Sequence, residues 1–456
     1  MRKISLLVLM GLVCALPLTA QNTYILTVSP SNVQSVVDSH GLTVVKELFD
    51  GTNCVMLVTS PSANVSGVET EVESDVLVGS FEPEQRATLP ELSSLTQPTL
   101  TQSSTSILDA LPGRTLVSFF GSTVPSNYTT QTATSIIRLN DARTATHLTG
   151  SGIVAIIDTG ADPSHPALTS VLVPGFDFTR DIPGFSELAD LPSAIAAQLQ
   201  QSSTSILDAQ NTLQLNSSAM AILNQSSTSI LDQSSTSILD STLAEFGHGT
   251  MTAGIVHLVA PTAKIMPLKA FRADGSSNLS DIIRAIYYAA DNGANVISMS
   301  FSLGEPSPGL QAAVQYALSK NVIMIASAGN DGIKTLVYPA SYNGVQGIGS
   351  STNSDLRSSF SNFGSGVVTF AAPGEGVVTT FPGASYAAGW GTSFSAPMVA
   401  GAAALVLQAR PASKPGDVTN ALSKTKQIND MGYGRIDLYQ SLMNVVGNNG
   451  STGSGR

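Results

Sequence analysis

Ile153-Val154-Ala155-Ile156-Ile157-Asp158-Thr159-Gly160 reads as a strand that ends on a carboxylate and a turn. Its five leading residues are apolar and mostly β-branched, so neither face of the strand is polar. That is the pattern of a strand covered on both sides. The same logic extends outward along the chain. Residues 250–258 predict a helix, 263–269 a strand, 279–292 a helix and 296–300 a strand. Residues 309–320 predict a helix, 322–328 a strand, and a last long helix follows Ser393 to about Arg410. Strands alternating with helices predict an α/β fold: a parallel sheet with helices on both faces.

Ahead of this lies a smaller unit at residues 21–85. Strands at 24–28, 44–48, 54–59 and 76–81, with helices at 31–39 and 65–74, give the order β-α-β-β-α-β. That order is the ferredoxin-like arrangement. Residues 86–130 are rich in Ser, Thr, Leu and Pro without periodicity and read as a linker and processing region. The main domain is expected at 131–447 and a flexible tail at 448–456.

The first twenty residues read as a signal peptide. Arg2 and Lys3 precede the apolar run 4–18, and cleavage is expected before Gln21. No later stretch is apolar enough to cross a bilayer, so no stable membrane insertion is expected once the signal is removed. Of the two cysteines, Cys14 lies in that signal and Cys54 does not, leaving one thiol at most and no internal disulfide. A net charge of −11 argues against a nucleic-acid partner. A composition 42% hydrophobic is ample for a large core.

One octapeptide, Gln-Ser-Ser-Thr-Ser-Ile-Leu-Asp, begins at Gln102, Gln201, Gln225 and Gln233. Eight residues turn a helix through about 80° beyond two full turns, so no single apolar stripe builds up. In a strand, Leu and Ile would face opposite sides. Neither element is specified. The later copies are expected to form a mobile insertion at about 184–244, or a small repeat that docks elsewhere.

Three short motifs carry chemistry. Asp158-Thr159-Gly160 suits an aspartic protease, which needs a second such loop that the chain lacks, or a serine protease, in which one buried Asp orients a His. Gly247-His248-Gly249-Thr250 opens a helix; no nearby His or Cys has metal-ligand spacing, so no metal site is expected there. Gly391-Thr392-Ser393-Phe394-Ser395-Ala396-Pro397 places Ser393 at a helix start, where unpaired N–H groups can meet an oxyanion, with Pro397 expected in the first turn. The esterase elbow Gly-x-Ser-x-Gly is excluded by Ser395 and by the chain order Asp, His, Ser. Ala326-Ser327-Ala328-Gly329-Asn330 ends a strand on an amide that could donate to an oxyanion or simply suit a turn.

In this order and spacing the motifs resemble the subtilisin-like serine proteases (subtilases, peptidase family S8), over roughly residues 135–446. The resemblance implies a secreted serine-type endopeptidase, extracellular or periplasmic, made as a zymogen whose residues 21–85 are a propeptide that binds the enzyme. It implies catalytic Asp158, His248 and Ser393, with Asn330 and the Ser393 N–H as the oxyanion hole. The strands near Gly275-Ser276 and Ser300-Phe301-Ser302 would flank a polypeptide substrate, and Val337 would shorten the S1 pocket and favour small or medium apolar P1 residues. The protein is expected to be a monomer that needs no cofactor. Departures are equally specific. The helix after His248 lacks the calcium loop of many bacterial members, and Ala167 replaces an acid often used for that ion. A calcium site of that type is therefore expected to be absent, while calcium elsewhere stays open. Ser302 stands where Gly is usual. The competing expectation is a catalytically silent relative that binds through its repeats.

Overall fold

A computed structural model describes residues 22–62, 64–89, 115–191, 193, 220–223 and 245–450. The signal segment and all four octapeptides lie outside these residues. The chain divides into two compact units after Glu84.

In the first unit, four antiparallel strands stand in the order Thr43–Asp50, Cys54–Ser60, Asn22–Val28, Val78–Pro83. The helices Val33–Ser39 and Val65–Glu73 complete the expected ferredoxin-like order. Alternate residues Tyr24, Leu26 and Val28 meet Met56 and Val58 in a core with Val36, Val68 and Val72 from the helices. The Tyr24 and Phe81 rings stack at 4.5 Å.

The second unit is built on a ten-stranded sheet. In spatial order its strands are Ile182–Pro183, Phe176–Asp177, Lys264–Lys269, Ile153–Asp158, Val296–Met299, Ile323–Ser327, Val345–Ser351, Phe370–Pro373, Arg435–Ile436 and Thr425–Lys426. All pairs are parallel except the outermost at each edge. The chain leaves Ile153–Asp158 toward one edge and returns to build the other side from Val296–Met299 onward. Such reversals open a crevice at the strands' carboxyl ends, and Asp158 is the last residue of that strand.

Two helices form the centre of the core. Every residue of His248–Val259 is buried, as is every residue from Thr392 to Leu407 in the helix Thr392–Ala409. Contrary to the expectation that no later stretch is apolar enough, the latter is long and apolar enough to cross a membrane, but its apolar surface is covered by the sheet and the other helix.

Several expected boundaries move. Within the predicted linker, Leu116–Phe119 and Ser122–Pro125 pair as a hairpin. Phe119, Val124 and Tyr128 bury there against Leu258 and Tyr386, and the Tyr128 hydroxyl donates to the Gly254 carbonyl at 2.7 Å. A few aromatic anchors hold these Ser/Thr-rich strands, which have too little alternation to be legible. The predicted insertion also begins too early at 184. Glu187, Leu188 and Leu191 are buried in a 3-10 turn, Glu187–Asp190, and its surroundings. Further on, Met220–Leu223 adds an antiparallel strand to Ser385–Gly389. Residues 448–450, expected in the tail, continue the helix Leu438–Gly450, which Leu442 and Val445 anchor, and the rest of the expected tail lies outside the described residues.

Candidate active site

Asp158 is fully buried, and its carboxylate is held from three sides. Oδ1 accepts from the Thr159 N–H at 2.7 Å, and Oδ2 from the Thr252 hydroxyl at 3.2 Å. His248 Nδ1 lies 2.7 Å from Oδ1. The glycines beside His248 serve this approach. Gly247 has φ +93° and turns the chain into the helix, and a Cβ there would strike the Phe381 ring. A Cβ on Gly249 would stand 2.1 Å from the Gly160 carbonyl oxygen. The two glycines thus make room for the Phe381 ring and the Gly160 backbone. Burial alone would lower the His248 pKa, but the Asp158 carboxylate outweighs it, with Glu245 and Glu187 adding, and holds it at about 9.

Ser393 lies in the first turn of its helix, where backbone N–H groups have no partner within the helix. The His248 ring packs against the adjoining Phe394 ring at 5.6 Å. The Ser393 hydroxyl itself donates to the Ser300 carbonyl at 3.3 Å. Pro397 lies one turn deeper than expected, because the helix already starts at Thr392. With no N–H, it cannot donate to the Ser393 carbonyl four residues back. The Ser300 hydroxyl fills that place at 3.0 Å.

Asn330 follows the strand Ile323–Ser327 and is buried. Its Oδ1 accepts from both the N–H and the hydroxyl of Thr392, each at 2.9 Å. A backbone N–H can only donate, so this contact fixes which end of the amide is oxygen. The NH₂ end faces the other way, 3.3 Å from where a Gly391 Cβ would stand.

The segment beside Gly275 and Ser276 carries a strand of the chain itself. Arg86–Thr88 pairs antiparallel with Ser276–Asn278. The ladder extends through Leu89 N–H to the Gly275 carbonyl and Leu279 N–H to the Gln85 carbonyl, both 2.9 Å. Ala87 and Leu89 are buried, and Arg86 reaches Asp274 at 3.5 Å. Ser300 is in direct contact with Ser393. The Phe301 side chain, by contrast, points into the core against Phe271 at 5.2 Å, so only its main chain can face a ligand. Ser302 is half-buried. Val337 is buried beside the backbone pairing of Leu303 with Tyr338.

Sequence reasoning missed Glu187. Its carboxylate is 1% exposed and accepts from the Thr159 hydroxyl, from the Gly249 N–H at 2.9 Å and from the Thr250 hydroxyl at 2.5 Å. Burial pushes its pKa up to about 7 against the pull of those hydroxyls. Lys269, fully buried, donates to the Thr159 carbonyl at 2.9 Å and to Asp190 at 2.7 Å. The two threonine hydroxyls flanking the Asp and His motifs were the available signal, since buried hydroxyls need acceptors. Among the described residues, no three His, Cys, Asp or Glu side chains gather as a metal site would need.

This geometry has relatives. The subtilase family profile matches residues 150–451. Subtilisin BL of Lederbergia lenta is 37% identical over 188 residues, covering 39% of this chain and 70% of that protein. Thermitase of Thermoactinomyces vulgaris is 38% identical over 212 residues, covering 43% and 75%. M-protease of Shouchella clausii is 36% identical over 204 residues, and the match spans about half, 52%, of its length. Among solved structures, fervidolysin of Fervidobacterium pennivorans, a keratinolytic enzyme related to subtilisin, aligns over 93% of this chain and 61% of its own, with a TM-score of 0.63. At 21% identity it bears on the fold alone. A Pseudoalteromonas arctica protease aligns over 67% of this chain and 93% of its own, at 25% identity and a TM-score of 0.51. A profile match over more than half the chain, together with these relatives, shows that the chain belongs to the subtilase family of serine-type endopeptidases.

Proposed function

We propose that the protein is an exported proprotein that hydrolyses polypeptides through an acyl-enzyme on Ser393. The observation that carries this reading is the 2.7 Å Asp158–His248 pair, with its imidazole packed against the helix that presents Ser393. In the proposed cycle the Ser393 hydroxyl leaves the Ser300 carbonyl and attacks the scissile carbonyl carbon. Its proton passes to the ring nitrogen of His248 that faces away from Asp158. Asp158 holds the other nitrogen and balances the imidazolium. The oxyanion accepts from the Ser393 N–H and the Asn330 amide. His248 then protonates the departing amine, and water repeats the sequence to release the acid. Apart from the substrate and the water consumed, every group in this proposed cycle belongs to the protein.

The substrate is proposed to add a strand to Ser276–Asn278, which reads main chain more than sequence. Val337 favours small or medium apolar P1 residues. Arg86–Thr88 already occupies that edge, which supports a zymogen whose own chain excludes substrate before processing. Export rests on the Arg2-Lys3 start and the apolar run after it.

Intact mass after fluorophosphonate treatment tests the reading, on wild type and Ser393→Ala expressed with export. A shortened wild type carrying one adduct, beside a long and unlabelled Ser393→Ala, supports a self-processing serine protease. Equal lengths and no adduct on either would refute it.

A further inference from the structure

We propose that Glu187 is a positioning residue for the catalytic pair. Its buried carboxylate fastens the turn that carries Asp158 to the first turn of the helix that carries His248. Oε1 takes the Thr159 hydroxyl and the Gly249 N–H, and Oε2 takes the Thr250 hydroxyl. Thr159 directly follows Asp158, and Gly249 and Thr250 directly follow His248. One side chain therefore bridges the two segments whose register sets the 2.7 Å contact. The carboxylate also lies at the amino end of a twelve-residue helix, where negative charge is favoured.

The clamp has a second side. Lys269 holds the Thr159 carbonyl while Glu187 holds its hydroxyl, so the residue after the catalytic Asp is fixed at both ends. Thr250 is fixed similarly, since its hydroxyl also accepts from the Asp162 N–H at 2.8 Å. The charged groups facing this cluster are Asp158, His248 and Glu245 on one side, and Lys269 and Asp190, the latter paired to Arg180, on the other. Asp158 raises the cost of ionising Glu187, and Lys269 lowers it. Glu187 in turn adds negative potential at His248. Removing it should loosen the pair and weaken the hold on the imidazolium.

The inference rests on the serine-protease reading above, and active-site titration of wild type with a fluorophosphonate separates the two: an unlabelled wild type sinks that reading, whatever Glu187 does. With sites titrated, kcat and KM of the processed enzyme are measured across pH for wild type, Glu187→Gln and Glu187→Asp. Glu187→Gln is expected to lower kcat per titrated site by about ten- to a hundredfold, the scale of a small misplacement of reacting groups. KM should stay within about twofold, and the acidic limb should move down by about half a pH unit as one nearby negative charge is lost. Glu187→Asp should recover part of both effects. A titrated Glu187→Gln enzyme with wild-type kcat and an unmoved limb overturns the proposal, even if its melting temperature falls. Should Glu187→Gln not mature, Thr250→Val is compared with Thr250→Ser. Equal kcat per site and equal limbs in those two variants overturn it as well.

Discussion

Ser300 and Ser393 exchange two hydrogen bonds: the Ser393 hydroxyl donates to the Ser300 carbonyl at 3.3 Å, and the Ser300 hydroxyl donates to the Ser393 carbonyl at 3.0 Å. The second bond exists because Pro397 cannot supply the helical one. Ser300→Ala would leave a buried carbonyl without a donor, at a cost of about 1–3 kcal/mol. Pro397→Ala restores an N–H four residues on, so Ser300→Ala should cost about 1 kcal/mol less in that background. Denaturation midpoints of the four members of the cycle check this. Additive effects would contradict it.

The pH profile follows from His248. A protonated imidazole cannot accept the Ser393 proton, so activity should rise with pH along a limb placed by a pKa of about 9, above the ordinary 6.5. With the proposed triad, Asp158→Asn should bring the limb down and cost about 10⁴ in rate. The linkage to stability has the opposite sense. A raised folded pKa contributes stability that is full below pH 6.5 and is lost as the pH rises through about 9. A limb at 6.5 in wild type would show that Asp158 does not dominate.

Asn330→Ala removes both a proposed oxyanion donor and the acceptor for Thr392. Its expected loss is about 10²–10³ in kcat, the magnitude of the family's own oxyanion asparagine. Asn330→Asp separates the two roles, because it still accepts from Thr392 but has no N–H to give. A loss as deep as that of Asn330→Ala assigns the effect to the donor. Near wild-type kcat in Asn330→Asp would assign it to the Thr392 anchor.

His257, on the same helix as His248, is fully buried with both ring nitrogens lacking a hydrogen-bond partner among the described residues. Burial, with His165 and Arg143 nearby, pushes its pKa down to about 4. The folded state therefore keeps it neutral. Its contribution is full above pH 6.5 and is lost as the pH falls toward 4, by on the order of 3 kcal/mol. His257→Phe should flatten stability over that range, as read from melting temperatures at several pH values. An unchanged acid slope would rule this residue out.

The strands Ile153–Asp158, Lys264–Lys269, Val296–Met299 and Ile323–Ser327 and the central helices were legible because burial on both faces demands runs such as residues 153–157. The equally buried Val345–Ser351 and Phe370–Pro373, rich in Gly, Ser and Ala, were not read. The motifs around Asp158, His248 and Ser393 were legible because glycines and short hydroxyl side chains stand at fixed offsets from these three residues. Glu187 was not, for it is a lone acid in an irregular stretch whose partners are 28 to 63 positions away in sequence. Pro397 was misplaced by one turn because the helix extends back through Ser393 itself. The strand Arg86–Thr88 was illegible for another reason: its order comes from the edge it joins, not from any periodicity of its own.

That strand is covalently part of the chain it covers. Its occupancy of the Ser276–Asn278 edge is governed by local effective concentration, which is independent of how dilute the protein becomes. Three paired residues can therefore hold the edge without high intrinsic affinity. Scission on its carboxyl side would turn the contact into an ordinary bimolecular equilibrium, and dilution alone would then clear it.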